Sequence, residues 1–578
     1  MTVMDGGKKP VIEFKDFSFQ YKVQSKPTLF DINLTIYEGE KILLLGPSGS
    51  GKSTLANCIN GLIPVSIPGK IEGSLKVAGM ETRDCDLNQL SALVGTVLQD
   101  SDAQFVGLSV GEDIAFALEN MNMPRDRMIP LVEKSASIVG MESFLNHLPY
   151  KLSGGQKQKV ALAGVMHEDV RVLLFDEPLA SLDPQMGMIA VDLIDRICRS
   201  ERKTVLIIEH RLEDVLYRPV DRIILIDGGR IILDTTPEDL LRRYDLLAHG
   251  IREPLYITAM KYAGCNLDEE DILSHVSGMT ITPGNRDKLI HFFQKEAPSS
   301  IEAGKEELIR VTEASFTYSS KLPNALDRVN CVIHKGEIVS LIGENGAGKT
   351  TFARMICGIS RPQAGTVEID GKSYLTLSIR EIGERIGYVM QNPNQMIVKS
   401  IIKEEVALAL TLRGMSEDEI DKRVEKALRM CRLYTMRHWP VDAVSYGQKK
   451  RITIAAILAL EPDAIILDEP TAGQDYHNYT AIMEFILTLN RDYGKTILFI
   501  THDMHLAIEF TDRAIVFAKA EIIADSSVFE VLSDDGIISK ASLKQTSLYT
   551  LATKIGLEPR QVIRHFVAYE KAVRANGR

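Results

Sequence analysis

Seven cysteines, at positions 58, 85, 198, 265, 331, 357 and 431, are scattered over 578 residues, and no two of them form a CxxC pair. That scatter excludes a disulfide scaffold and a paired-cysteine zinc site, and it predicts reduced, structural thiols and a cytosolic address. No run approaches about 20 consecutive apolar residues, so no segment is expected to cross a bilayer. The opening MTVMDGGKKP lacks the apolar stretch of a secretory leader. Basic residues are not in excess. The 67 Lys and Arg against 78 Asp and Glu leave a net charge of −11, which argues against a nucleic-acid partner. Hydrophobic residues, at 45%, are ample for large cores.

Two glycine-rich stretches are the informative positive feature: GPSGSGKST at 46–54 and GENGAGKTT at 343–351. The first follows KILLL, a short apolar run that reads as a buried strand. Gly46, Gly49 and Gly51 let the backbone curl so that N–H groups converge on one anion, and the helix that follows aims its positive end at the same place. Lys52 then reaches the β and γ phosphates of a nucleotide and the Ser53 hydroxyl can ligate Mg²⁺, with Ser48 and Thr54 completing the loop. Gly343, Asn345, Gly346, Gly348, Lys349, Thr350 and Thr351 repeat the set.

The whole chain is self-similar, and that sets the fold. Lys52 and Lys349 are 297 residues apart, as are Tyr21 and Tyr318. Further on the offset falls to 292 and holds for Gln99 and Gln391, Ser153 and Ser445, Glu177 and Glu469, and His210 and His502. The runs RVLLFDEP and AIILDEP read as buried strands ending in acids; TVLIIEH and TILFITH read as buried strands ending in histidine. Charged ends on apolar strands after a phosphate loop predict a parallel sheet with its ligand at the carboxyl edge. The spans 100–165 and 392–457 read as helical. Asp176 and Asp468 are placed to hold Mg²⁺, and Glu177 and Glu469 to polarise an attacking water. LSGGQ at 152 and VSYGQ at 444 open helices with Ser and Gly, a second kind of anion cradle in each half.

The order phosphate loop, glutamine, LSGGQ, DEP, SLD and histidine resembles the ATPase domain of ATP-binding cassette (ABC) proteins, twice over and along essentially the whole chain. The resemblance implies an α/β fold of two tandem ABC-type nucleotide-binding domains. Each would have a P-loop core with a parallel sheet, an antiparallel β subdomain, a helical subdomain and a small helical C-terminal extension. The predicted bounds are 10–245 for the first ATPase domain and 246–295 for its extension. A linker at 296–307, the second ATPase domain at 308–535 and a C-terminal extension at 536–578 follow. By the same resemblance the two halves pair head to tail and bind two ATP with Mg²⁺. Lys52 would share its ATP with Ser445, Gly447 and Gln448, and Lys349 with Ser153, Gly154, Gly155 and Gln156. Gln99 and Gln391 resemble the glutamine that touches Mg²⁺ and water, and Asp183 and Asp475 the acid of the crossing loop. His210 and His502 resemble the γ-phosphate histidine, and Tyr21 and Tyr318 the aromatic that stacks on adenine. The second signature departs from the first, with Tyr446 at the place of Gly154.

The stretches QDSDAQFVGLSVGEDIAFALEN, QNPNQMIVKSIIKEEVALAL, NGLIPVSIPGKIEG and GIREPLYITAMKYAG are similar to ATPases of energy-coupling-factor importers, which take up vitamins, vitamin precursors or trace metals. This implies a transmembrane scaffold (T) subunit and a small substrate-binding membrane (S) subunit as partners, at the cytoplasmic face of a prokaryotic membrane. The nearer alternative is the ATPase of another ABC importer class. A soluble ribosome-associated tandem ATPase is disfavoured by the short linker and acidic balance, and a DNA-repair ATPase by the missing cysteine pairs.

Overall fold

Apolar and polar residues alternate through VIEFKDFSFQY, and this stretch is strand β1 (Pro10–Tyr21) in the computed structural model, which describes residues 8–98, 104–167, 169–180, 182–295, 306–471 and 474–576. Val11, Ile12, Phe14, Phe17 and Phe19 are buried along it. The chain divides into two compact units. The first runs up to Lys261 and includes Asn266–Thr282 and Asp475–His477; the second comprises Tyr262–Cys265, Pro283–Gln474 and the residues from Asn478 onward.

In the first unit β1 is followed by β2 (Leu29–Tyr37), β3 (Lys41–Leu45), helix α1 (Lys52–Ile59), β4 (Gly69–Val77) and β5 (Met80–Glu81). Next come β6 (Val94–Val97) and three helices, α2 (Val110–Asn120), α3 (Arg125–Val139) and α4 (Gly154–Val165). Then follow β7 (Val172–Asp176), α5 (Pro184–Ser200), β8 (Thr204–Ile208), β9 (Arg222–Asp227) and β10 (Arg230–Thr235), with shorter helices between and after them. Among the described residues these strands form two sheets. An antiparallel sheet has the order β2-β1-β4-β5, and a mixed sheet the order β10-β9-β3-β8-β7-β6. In the second sheet every neighbouring pair is parallel except the edge pair β10–β9. Its central strands are apolar except for terminal residues such as Lys41, Thr204 and Asp176, as expected of strands covered on both faces; all five residues of β3 and of β8 are buried.

Helices α6 (Leu255–Tyr262) and α7 (Pro283–Phe293) follow. The second unit repeats the plan. Its strands are β11 (Glu307–Phe316), β12 (Leu326–His334), β13 (Ile338–Gly343), β14 (Ala364–Ile369), β15 (Lys372–Ser373), β16 (Ile386–Val389), β17 (Ala464–Asp468), β18 (Thr496–Ile500), β19 (Arg513–Ala518) and β20 (Glu521–Ser527). Its sheets run β12-β11-β14-β15 and β16-β17-β18-β13-β19-β20, the same two orders. Helix α8 (Lys349–Ile356) follows β13, and α9 (Ile402–Leu412), α10 (Glu417–Met430) and α11 (Tyr446–Leu458) correspond to α2, α3 and α4. At the end of the chain lie α12 (Ser547–Ile555) and α13 (Pro559–Asn576). Within this unit α7 joins α12 and α13. Phe292 packs edge-on against His565 and Tyr569 at 4.7 and 4.9 Å, and Arg286 donates to the Ile555 carbonyl at 3.3 Å.

Helices fill much of 110–165 and 402–458 within the two spans expected to be helical, with residues 99–103 lying outside the described residues, and each core sheet is parallel except for its edge pair. None of the seven cysteines is in a disulfide. Among the described residues no helix is long and apolar enough to cross a membrane.

Candidate functional site

In the first unit β3, β8 and β7 are parallel neighbours, so their carboxyl ends open along one sheet edge. The chain leaves β3 at Leu45 and turns at Gly46, whose φ is +152°. A Cβ there would lie 2.1 Å from the Ile226 carbonyl oxygen, so only glycine fits between the strand end and its neighbour. Gly343 is in the same position in the second unit, with φ +146° and the Phe517 carbonyl oxygen 2.2 Å from a built Cβ. Ser48 and Gly49, and likewise Asn345 and Gly346, form the turn of each loop. Gly51 and Gly348 are the caps of α1 and α8.

Lys52 is buried, and its Nζ donates to the carbonyls of Gly46 and Pro47 at 2.8 and 2.9 Å. Burial pushes its ammonium pKa down, against the pull of Glu177 and other acids nearby. Lys349 donates to Gly343 and Glu344 at 2.8 Å each. Each ammonium thus sits inside its own loop, where phosphate oxygens would meet it.

The acids follow at the ends of β7 and β17. Asp176 is hydrogen-bonded to the Ser53 hydroxyl, and Thr350 Oγ1 donates to Asp468 Oδ2 at 3.4 Å. Burial raises both aspartate pKa values, and the adjoining Glu177 and Glu469 push the same way. Each pair offers a hydroxyl and a carboxylate, the hard oxygen donors that Mg²⁺ prefers. Glu177 and Glu469 have left-handed backbones, φ +49° and +44°, and their N–H groups donate to Ile208 and Ile500 at 2.9 Å. Non-glycine residues hold that conformation at a cost of about 1–2 kcal/mol. Here it turns the carboxylate from the strand end toward the histidine after the next strand. His210 Nε2 is 3.1 Å from Glu177 Oε1, and His502 Nδ1 is 2.7 Å from Glu469 Oε1.

Tyr21 is half-buried against the edge of the first core, and Tyr318 is exposed. Their hydroxyls bond Thr54 at 2.9 Å and Thr351 at 3.1 Å, and Tyr318 is 56% exposed. Each ring stands at the edge of its phosphate-loop helix, packed edge-on against Phe19 or Phe316. The signature serines cap helices. Gln156 N donates to Ser153 Oγ at 3.4 Å while Gln156 Oε1 accepts from Ser153 N at 2.9 Å, and Ser445 with Gln448 does the same at 3.3 and 2.9 Å. Gly154 has nothing within 4 Å of a built Cβ, but one on Gly155 would meet Met186 at 2.2 Å. Gly447, the second copy's counterpart of Gly155, is crowded less. Asp183 caps α5 by accepting from Met186 N at 2.9 Å. Asp475 groups with the first unit, is 2% exposed, and accepts from Ser48 N at 2.6 Å. Gln391 lies just after β16 and is exposed; Gln99 falls outside the described residues.

Residues 29–180 and 326–472 match the family described as ABC transporter. The chain belongs to the ABC transporter family. As an ABC transporter ATP-binding subunit it binds ATP and couples ATP hydrolysis to transport. It is 52% identical over 568 residues to an ABC transporter ATP-binding protein of Clostridium perfringens (strain 13 / Type A), covering 98% of this chain and 100% of the relative. It is 53% identical over 572 residues to one of Enterococcus faecalis (strain ATCC 700802 / V583), again covering 98% and 100%. Residues 245–316 match a second family, described as ATP-binding cassette cobalt transporter. A solved structure of cbiO1 from Clostridium perfringens, described as part of the ABC transporter complex cbiONQ, aligns at 32% identity with 41% of this ABC chain and 94% of its own, with a TM-score of 0.38.

Three residues of these ABC units escaped the motif reading. Tyr388 on β16 donates its O–H to Asp468 Oδ2 at 2.6 Å, where the first copy has Thr96, which accepts from Asn60. Glu209, before His210, is fully buried, accepts from Leu179 N and His210 N at 3.0 and 2.7 Å, and has its pKa raised by burial. Lys450 on α11 is buried beside Glu469. The two copies differ at all three positions, where the counterparts are Thr96, Thr501 and Gln158, but the difference alone does not show what each residue contacts. Tyr388→Phe removes a hydrogen bond to a charged acceptor. It is expected to lower the second unit's unfolding transition in calorimetry by about 2–4 °C, from a loss of about 1–2 kcal/mol. An unmoved transition would show that the bond stabilises nothing.

Proposed function

We propose that this chain is the ATPase of an energy-coupling-factor type importer, peripheral at the cytoplasmic face of the membrane and bound to a transmembrane scaffold subunit and a small substrate-binding membrane subunit. Each ATP is shared by the phosphate loop of one half and the signature of the other, with residues 10–245 and 308–535 as the two ATPase domains. The observation that carries the reading is the match of residues 245–316, immediately after the first ATPase domain, to a family described as a cobalt transporter cassette. That match supports a micronutrient cargo, a vitamin, a vitamin precursor or a trace metal.

The chemistry is assigned to the chain's own residues. Lys52 and Lys349 hold the terminal phosphates, and Tyr21 and Tyr318 stack on the base. Ser53, Gln99 and Asp176 in one site, and Thr350, Gln391 and Asp468 in the other, would hold Mg²⁺, which supplies neutralisation of phosphate charge. Glu177 and Glu469 orient and polarise water, and each is fixed by its histidine and its left-handed backbone. The test is purification of the chain from its own membranes, with identification of the bound subunits and ATP-driven uptake in vesicles. A transmembrane scaffold subunit, a small substrate-binding membrane subunit and metal or vitamin uptake are expected. Recovery with ribosomes, or with a pair of large permease subunits, would overturn the importer class.

A further inference from the structure

Helix α11 of the second unit differs from α4 at several positions, and two of them lie one helical turn apart near its start. Tyr446 stands where the first copy has Gly154, and Lys450 where it has Gln158. Residues four apart share a helix face. The Lys450 ammonium is 5.5 Å from the centre of the Tyr446 ring. That ring's hydroxyl donates to the Gln391 carbonyl at 3.4 Å. Lys450 is 3% exposed, and its Nζ donates to two consecutive carbonyls, Glu469 at 3.1 Å and Pro470 at 2.6 Å. In the first copy the amide of Gln158 reaches one carbonyl, Pro178, at 2.7 Å.

These contacts join three functional stretches inside one unit: the peptide after the glutamine, the start of the signature helix, and the peptide of the DEP acid. Tyr446 is tolerated there because its backbone is helical and it is absent from the residues with positive φ. The carbonyls that Lys450 grips belong to the strained turn, since Glu469 has φ +44°. Hydrogen bonds from a charged donor are stronger than neutral ones. A cation on two successive carbonyls therefore restrains that peptide more than an amide on one.

We propose that Lys450, seated under Tyr446, is a positioning residue for Glu469. It ties the second signature helix to the catalytic acid of its own unit by a charged link that the first unit lacks. The inference rests on the reading that Glu469 polarises the attacking water.

The test uses the full chain carrying Glu177→Gln, so that turnover reports Glu469. Lys450→Met should lower kcat about tenfold, as loss of a charged hydrogen bond does, and leave KM for ATP unchanged. Amide hydrogen exchange over residues 464–471 should speed up in the same variant. Lys450→Arg should restore most of the rate, and Tyr446→Gly combined with Lys450→Met should cost no more than Lys450→Met alone. Unchanged kcat with unchanged exchange would overturn the proposal. So would a loss that tracks only the fraction of folded protein and is not relieved by arginine. Glu469→Gln in the same background separates the two claims. If it turns over normally, the catalytic reading of Glu469 has failed, and exchange over 464–471 alone decides whether Lys450 holds that peptide.

Discussion

ATP turnover is expected to vanish when Glu177 and Glu469 are both changed to glutamine, while ATP binding persists. Each carboxylate is turned by a left-handed backbone and faces a histidine across the carboxyl edge of its sheet. Glutamine keeps the size of the side chain but cannot accept a proton from water. Loss of a positioned base costs about 10²–10⁴-fold. Nucleotide affinity is assigned to the phosphate loops under the proposed function, and the substitution does not touch them, so it should stay near that of the unaltered protein. Each single change should leave measurable turnover from the other glutamate. Phosphate release and equilibrium ATP binding, measured on the same preparations, check both halves of the expectation. Full activity in the double variant would remove these acids from the mechanism.

Lys52→Ala and Lys349→Ala should instead weaken ATP binding. Each lysine is buried and already linked to two carbonyls of its own loop, so its ammonium has few places to go when the loop meets a phosphate. Removing it deletes a positive charge from a cradle otherwise made of backbone N–H groups. One or two charge-assisted hydrogen bonds are lost, which corresponds to about a 10²-fold weaker Kd at each site. The double variant should retain no tight binding. Titration with a fluorescent ATP analogue reads this directly, and unchanged affinity in both single variants would place the phosphates elsewhere.

Much of this was legible in the sequence because the relevant signals are local. The apolar runs that end in DEP or His are short and unbroken, so they could only be buried strands with chemistry at one end. Gly46 and Gly343 are dictated by close approach of a neighbouring carbonyl, which leaves no room for a side chain, and Gly49 and Gly346 by a left-handed backbone in open space, φ +78° and +85°. The signature serines were read as part of an anion cradle, and they also close capping boxes on their own glutamines, a local pattern that was equally open to reading. What stayed hidden depends on sheet order. Tyr388 reaches Asp468 because β16 lies beside β17, 80 residues apart in sequence. Nothing in GYVMQ announces that hydroxyl as a partner for an acid. Lys450 looks like one more cation in GQKKR, and only the fold shows that it is inside. The place of α7 beside α12 and α13 is set by aromatic packing that no periodicity within Pro283–Phe293 reveals.

Tyr388, Tyr446 and Lys450 all lie in the second copy, and none has a like residue in the first. This one-sidedness has a genetic meaning. When a single gene encodes a cassette that pairs with itself, every codon change strikes both copies at once, and a residue harmful in one place cannot be kept for its benefit in the other. Two cassettes in one reading frame are inherited together, always in equal number, yet they mutate separately. Each copy can then accumulate changes of its own. Such a gene should show unequal tolerance to variation along its length, with the matching codons of the two halves under different constraint.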